Sequence, residues 1–437
     1  MDFILTDIKQ IYRKFLITSI AGALATSIYS FVDAIAVGQA VGPSGTAAMA
    51  CINPFYGIMV FLSVLCGIGG SVLMGVARGE GNEEKGNAYF SAAILLMSVL
   101  TGAAWIGFGL FHEQIFTFFG ADALLMPKVM EYAQWLIYTF PIFVMPPFLG
   151  AFIRNDGAPN LAMAAVLIGG CTNIFGDWFF VFPMGMGMEG AAVATVIGTS
   201  VQTIVMCSYF LRKQCKLRFV KPFHILHGFK KILGIGFGAS IFDFGAVFLV
   251  ILMNNQVMRY SGTSALAVYG AVGTISSLFQ MMFCGVGQAI QPIISANFGA
   301  KRTDRVQSVW RMSLLTVLIM GLLFTVIGEL FPQQIVRLFM RTTPEVLEIA
   351  PGIIRPYFLL FLFLGITVLS TYYLQSVMRG KESMIVALMR SIFISGIFLV
   401  VLPLWFGILG VWIAMPLSEM IVVVIALFYI RKNKKGD

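Results

Sequence analysis

An all-helical protein threaded repeatedly through a lipid bilayer is the fold class this sequence predicts, and three observations carry the prediction. Of the 437 residues, 59% are hydrophobic and only 11% charged, against about 25% charged in soluble domains. The mean hydropathy is +0.90. The apolar blocks run for the ~20 residues a helix needs to cross a bilayer, with short polar breaks between them. They do not alternate apolar with polar residues, which excludes a membrane β-barrel.

Taken in chain order, the blocks predict twelve helices, at 11–37, 46–76, 88–111, 131–153, 160–182, 189–211, 232–256, 264–294, 312–330, 357–377, 384–405 and 410–430. With the N-terminus cytoplasmic, 24 of the 29 Lys and Arg residues fall on the inner side, Arg390 among them. Lys128, Arg259, Arg337, Arg341 and Arg355 fall outside. That asymmetry puts both termini in the cytoplasm of a multi-pass cell-membrane protein, with no Lys or Arg deep in a helix. The net charge of +9 is then a matter of topology, and no nucleic-acid partner is expected. The first apolar run follows Lys9, Arg13 and Lys14 and continues into a stretch containing Asp33. It has no small-residue cleavage site, so it reads as a span and not a cleaved signal. The six cysteines form no CxxC pair and read as small buried thiols.

The two halves resemble each other. Ser44-Gly45-Thr46 recurs as Ser261-Gly262-Thr263, Cys66-Gly67-Ile68-Gly69 as Cys284-Gly285-Val286-Gly287, and Gly81 falls opposite Gly299. Six spans per half is an even number, so both halves begin on the same side and their pseudo-symmetry axis runs along the membrane normal, as in transporters built from parallel repeats. The predicted organisation is a six-helix lobe over 1–211, a basic cytoplasmic linker over 212–231 and a second six-helix lobe over 232–437.

Enzymatic readings fare poorly. There is no GxxxxGK[ST] phosphate loop. Gly185-Met186-Gly187-Met188-Glu189-Gly190 spells GxGxxG, but in a turn between helices with no strand before it. His112, His224 and His227 lie at helix ends or in the linker, no HExxH exists, and Asp177 lacks the GxGD context of an intramembrane aspartyl protease. A membrane-embedded enzyme is thus the weakest of the function classes, and no cofactor is expected.

The informative residues are the acids left inside spans. An ionised carboxylate at mid-bilayer costs ~2.5–3.5 kcal/mol on insertion scales. It survives by facing a wet cavity, by pairing with a cation or by taking a proton. Asp33 ends a polar stripe of Ser19, Gly22, Thr26 and Ser30, spaced three or four residues apart on one helix face. Asn173 and Asp177 are four apart, which stacks an amide oxygen over a carboxylate, a pairing suited to a hard monovalent cation or a shared proton. Asp33 and Asp177 are therefore read as functional. Serines and threonines of the stripe are more often interhelical hydrogen bonders. Asp243, Gln280, Gln288 and Gln375 are candidates to line a substrate cavity in the second half. Glu419, three residues after Pro416, reads as structural, capping backbone broken by the proline. The 25 Met and 40 Phe suit an adaptable apolar pocket, although ordinary packing accounts for most of them.

The pattern resembles the multidrug and toxic compound extrusion (MATE) family, and within it the DinF-like bacterial branch. The resemblance is carried by Tyr29–Gly38, by Ala77-Arg78-Gly79-Glu80-Gly81-Asn82, by Arg154–Pro159 with Asn173–Asp177, and by Gln291–Ala300. It implies a V-shaped pair of six-helix lobes and antiport of organic, often cationic or amphiphilic compounds against protons or sodium by a monomeric carrier. It also implies a cation site in the first lobe at Asp33, Asn173, Asp177 and Thr195, with sodium possible at the first three. Thr18 stands where related members have a helix-1 proline, and the tenth helix lacks the acid of the NorM-like branch, while Asp243 sits about one turn from that branch's acidic position. The nearest rival function is a flippase or exporter of a lipid-linked or specific metabolite, marked by a basic cavity.

Overall fold

The computed structural model describes residues 3–41, 43–121, 123–221, 225–339 and 344–433; some side chains within its helices, Ser30 and Asp243 included, lie outside the described residues. The described elements are all helical. They are α1 (Ile8–Val41), α2 (Pro43–Gly79), α3 (Glu83–Phe118), α4 (Met126–Tyr138), α5 (Phe140–Asn155), α6 (Pro159–Gly176) and α7 (Gly187–Cys207), then α8 (Ile225–Gly299), α9 (Thr303–Leu330), α10 (Pro332–Phe339), α11 (Pro344–Phe358), α12 (Phe361–Ser376), α13 (Gly380–Leu388) and α14 (Ile394–Asn433). Two π-helical turns extend this scheme, Asp177–Val181 after α6 and Met389–Phe393 between α13 and α14.

Each of the twelve predicted helices falls on helical backbone. Among the described residues, eight helices are long and apolar enough to cross a membrane, or nine when α4 and α5, bent by 61° at their junction, count as one crossing. The count is lower than twelve for two reasons. The Gly380–Arg431 span holds two predicted helices, parted where Gly407 leaves helical geometry at φ 56. The seventh and eighth share α8, broken at Gly262 with φ 73; α1 and the first part of α8 run through undescribed side chains.

The repeat is legible in how helices stop. The stretch singled out as Ala77–Asn82 is a Schellman turn: Asn82 N–H donates to the Ala77 carbonyl and Gly81 N–H to that of Arg78, with Gly81 at φ +82. Such a turn satisfies the last carbonyls of a helix and needs a left-handed residue. Asn82 then caps α3, its side chain accepting from Lys85 N–H at 2.8 Å, and Glu83 and Glu84 face the positive end of the helix dipole. The same turn closes α5 at Gly157, α8 at Lys301 and α12 at Met378. Matching the turns places Gly81 opposite Lys301 and Gly79 opposite Gly299. This corrects the pairing of Gly81 with Gly299 expected from residue identity, because backbone geometry fixes the register and a repeated glycine does not.

The chain divides into two compact units, Met1–Gly236 with Ser295–Arg302, and Phe237–Ile294 with Thr303–Asp437. The first is filled by rings such as Phe55 against Phe108 and Phe140, with centroids 4.4 and 5.6 Å apart. The second is filled by Phe279 stacked on Phe324 at 3.8 Å and edge-on to Phe361 at 5.2 Å. These phenylalanines are packing residues of each unit's own core, worth ~0.5–1.5 kcal/mol per pair beyond area burial.

Candidate cation-coupling site

Within the first unit, α1, α6 with the π-helical turn that follows it, and α7 bring Asp33, Asn173, Asp177 and Thr195 into one neighbourhood. The approach of α6 to α7 makes this possible. A Cβ on Gly198 would lie 2.7 Å from Asn173 Cβ and 2.8 Å from the Gly169 carbonyl oxygen. With glycine there, the helices touch at backbone distance, and Asn173 Nδ2 reaches Thr195 Oγ1 at 3.3 Å. Thr195 Oγ1 lies 3.5 Å from Asp33 Oδ1 but 2.9 Å from the Ala191 carbonyl. Its single proton goes to the shorter backbone bond, so toward Asp33 it makes only a loose approach.

Two residues absent from the sequence reading complete the cluster. Tyr132 of α4 donates to Asp33 Oδ2 across 3.4 Å and lies 3.2 Å from Thr195 Oγ1. Tyr56 of α2 meets the Tyr132 hydroxyl at 3.0 Å. The chain Tyr56–Tyr132–Asp33–Thr195–Asn173 therefore shares very few protons among many oxygens. Asp177 is 1% exposed, and neither of its carboxylate oxygens has a hydrogen-bond partner; the same holds for Asn173 Oδ1. Asp33 and Asp177 are near enough to feel each other's charge. Each buried acceptor left unmatched costs roughly 1–3 kcal/mol. Acceptors in excess of donors are what a proton or an oxygen-seeking monovalent cation remedies. Among the described residues no three His, Cys, Asp or Glu side chains gather to hold a metal ion.

Asp177 opens the first π-helical turn. Such turns widen the helix by one residue, loosen its hydrogen-bond ladder and recur at functional positions. The α1 stripe resolves into two kinds of group: Thr26 returns its hydroxyl to the Gly22 carbonyl at 3.0 Å, the structural role expected of most such residues, whereas the buried Ser19 hydroxyl has no hydrogen-bond partner. Beside the stripe, Thr18 bonds the Lys14 carbonyl at 2.9 Å. Glu189, at the start of α7, accepts from Trp135 Nε1 at 3.2 Å.

In the second unit, Gln375 is buried between Gln291, whose Nε2 lies 3.4 Å from its Oε1, and Ser383 at 3.1 Å. Gln288 is half-buried, and the side chain of Asp243 lies outside the described residues. Gln280 accepts from Arg390 Nη2 at 3.4 Å, and Arg390 Nε donates to Glu419 Oε1. Two expectations are corrected here. Arg390, counted with the cytoplasmic residues, has a side chain only 10% exposed, inside the second π-helical turn. Glu419 is its ion-pair partner and not a cap for the Pro416 backbone. A lone arginine at that depth would be costly, and the carboxylate offsets the cost.

The MatE family model matches residues 19–179 and again residues 240–402. The probable multidrug resistance protein YoeA of Bacillus subtilis is 26% identical over 92% of this chain and 89% of its own length. The multidrug export protein MepA of Staphylococcus saprophyticus is 23% identical over 95% and 92%. The FAD transporter of Shewanella oneidensis is 22% identical over 98% and 95%. Among solved structures, a multidrug resistance MATE family transporter of the MOP superfamily in an outward-facing conformation superposes with a TM-score of 0.91, at 20% identity, over 99% of this chain and 97% of that one. Two matches to one family model, covering most of the sequence, establish that this chain belongs to the MATE family of multi-pass membrane transporters.

Proposed function

We propose that the protein is a secondary active multidrug exporter that moves organic cationic or amphiphilic compounds out of the cell in exchange for protons or sodium ions. The observation that carries this reading is the surplus of buried oxygen acceptors at Asp33, Asn173 and Asp177. The names of relatives such as YoeA and MepA add to it. In the proposed cycle, a cation arriving from outside neutralises Asp33, Asp177 or both as substrate leaves. Neutralisation lets α1 repack and changes the side from which the carrier is accessible, and the cation then departs to the cytoplasm. One charge moving inward supplies about 2.3 kcal/mol per 100 mV of membrane potential, and a chemical gradient adds to it. The carrier is read as a monomer in the cell membrane, with both termini cytoplasmic and lobes 1–211 and 232–437 joined by the basic segment 212–231.

Ethidium efflux from oriented vesicles, driven by a pH gradient or a sodium gradient, tests the proposal. The expected result is efflux that follows one of the two gradients and drops at least tenfold in Asp33→Asn. That variant keeps an oxygen for Tyr132 but cannot lose and regain a charge. Full gradient-driven efflux by Asp33→Asn would overturn the proposal.

Tyr132→Phe has an expected effect of definite sign. Removing the hydroxyl takes a donor from the empty, charged form of Asp33, so the coupling ion is held more tightly and released more slowly. The ion concentration giving half-maximal efflux should fall about three- to tenfold, as loss of one modest hydrogen bond implies, while the maximal rate falls too. A rise in that concentration would contradict the assignment of Tyr132 as a donor to Asp33.

A second reading, export of a specific metabolite, draws on the buried arginine of the second unit and on the relative named as an FAD transporter. Its marker is failure of any cationic dye to follow either gradient.

A further inference from the structure

The coupling proposal gives no task to the basic segment between the lobes or to the helix start beside it. The segment carries seven Lys and Arg residues, and no Asp or Glu occurs between Glu189 and Asp243. Topology accounts for positive charge at this edge of the membrane, but not for the way the chain is held. Residues 212–221 follow directly on the Gly187–Leu211 span and are pinned along α3. Three alternate N–H groups donate inward: Lys216 to Asp156 Oδ2 at 2.9 Å, Arg218 to Asn87 Oδ1 at 3.3 Å and Val220 to Ser91 Oγ at 3.0 Å. Lys216 Nζ reaches Glu83 at 2.8 Å. Glu83, Asn87 and Ser91 are four residues apart, so the segment runs down one face of α3.

At its far end α8 begins on another side of α3. A Cβ on Gly228 would lie 3.7 Å from that of Ala92, and Ala92 stands about 140° around the helix from Asn87. The chain thus passes around α3. Between the starts of α3 and α8 it leaves a cleft of about 460 Å³, lined by Glu84, Lys85, Ala88, Tyr89 and Ala92 on one side and His227 on the other. Lys85, Glu84 and His227 are exposed, whereas Ala88 and Ala92 are buried. What lies further along α3 identifies the occupant. Leu95, Val99, Ile106 and Leu110 continue the face begun by Ala88 and Ala92, and all four are exposed within the Glu83–Phe118 span. That is a lipid-facing stripe. A polar cleft at the head of such a stripe matches a molecule with a charged head and an apolar tail.

The lining specifies the head. Lys85 and Tyr89 present N–H and O–H donors. The Lys85–Glu80 bridge, 2.7 Å long and about half exposed, is weak and leaves two of the three ammonium protons unused. Lys231, exposed one turn beyond His227, adds positive charge on the same face of α8. Glu84 is the only acid of the lining. It opposes a doubly charged phosphate but accepts from a hydroxyl. A singly charged phosphodiester with hydroxyls beside it satisfies both kinds of group.

We infer that this cleft binds an anionic phospholipid whose headgroup carries hydroxyls, phosphatidylglycerol being the simplest, with an acyl chain along the exposed stripe of α3. The leaflet that supplies the lipid rests on the topology proposed above; the chemistry of the site does not.

The test is native mass spectrometry of the full chain in detergent, titrated with phosphatidylglycerol, phosphatidylcholine or phosphatidic acid of identical acyl chains. Wild type should bind phosphatidylglycerol at least about tenfold more tightly than phosphatidylcholine. Lys85→Gln with Lys231→Gln should abolish most of that preference, since each cation near an anionic lipid contributes about fivefold. Both side chains are exposed, so this double variant should melt as wild type does. Lys9→Gln with Lys381→Gln removes the same charge from other exposed positions and should leave the preference intact. Glu84→Gln should bind phosphatidic acid, which has no headgroup hydroxyl, as well as it binds phosphatidylglycerol, where wild type favours the latter. Equal binding of phosphatidylglycerol and phosphatidylcholine by wild type, equal losses in the two double variants, or a wild-type preference for phosphatidic acid overturns the inference. So does displacement of the lipid by millimolar glycerol 3-phosphate, which would mark a site for a soluble phosphate compound.

Discussion

Replacing Asp156 with alanine should destabilise the first unit by about 3–5 kcal/mol, the usual result of removing one partner from a buried ion pair. The Asp156 side chain is fully buried at the end of α5 and pairs with Arg78 from the end of α2. Its Oδ2 also accepts from the Tyr209 hydroxyl at 2.6 Å and from the Lys216 backbone N–H at 2.9 Å. One carboxylate thus fastens two helix ends, the residues following α7 and the first part of the linker. Arg78 also reaches Asn87 Oδ1 at 3.3 Å, and the Arg218 N–H donates to that same oxygen at 3.3 Å. Alanine leaves a guanidinium without its counter-ion and two donors unmatched. Thermal melting in detergent measures the loss, and faster amide exchange at Lys216 and Arg218 locates it. Glu80→Ala is the matched control, since the Lys85–Glu80 pair is about half exposed and such pairs contribute at most about 1 kcal/mol. Comparable losses in the two variants would refute the account.

Gly299→Ala should be nearly as damaging for a steric reason. A Cβ at Gly299 would stand 1.9 Å from the Val76 carbonyl oxygen, and one at Gly79 would stand 2.0 Å from the Ala296 carbonyl oxygen. Backbone meets backbone along this seam between α2 and the end of α8, so no side chain can rotate out of the way. The helices must part, at a cost of at least about 1–3 kcal/mol for overpacking. Gly102, inside α3 with no atom within 4 Å of its would-be Cβ, supplies the opposite case. Gly102→Ala should be neutral or stabilising by up to about 1 kcal/mol from helix propensity. Melting curves that place both variants on the same side of wild type would falsify this reading of the seam.

Helix existence was legible in the sequence because the length of an apolar run is a one-dimensional property. Asp33, Asn173 and Asp177 were legible for a related reason: an acid inside such a run is costly, and a spacing of four puts two groups on one face. Thr195 carries no such mark and came only through the family resemblance. Tyr132 and Tyr56 stayed hidden, since a tyrosine in a span is equally at home in packing or at a membrane interface. Their hydroxyls acquire meaning only when α2, α4 and α1 are brought together. Arg390 was misplaced because Arg379 and Lys381 lie close before it and pull it into the cytoplasmic group. It stands ten residues past Gly380, about 15 Å along a helix at 1.5 Å per residue. That depth, matched with an acid in the following span, is the signal that would have found the pair.

The two π-helical turns have a consequence for how this chain can change over generations. Asp177 opens one and Arg390 sits in the other, so each turn spaces its charged residue by one residue more than an α-helix would. Deleting a single residue there would restore the regular helix, and the propensities of its neighbours would not resist it. The wide turn takes up its extra residue locally, so after such a deletion the helices on either side would stay close to their present register, and only residues inside the turn would change the direction in which they point, by up to about 100° per position. Loss of one residue at either turn is therefore a change the fold can absorb while the charge is re-aimed. In these two segments chain length sets where a charge points, and the packing of the flanking helices is left nearly as it was.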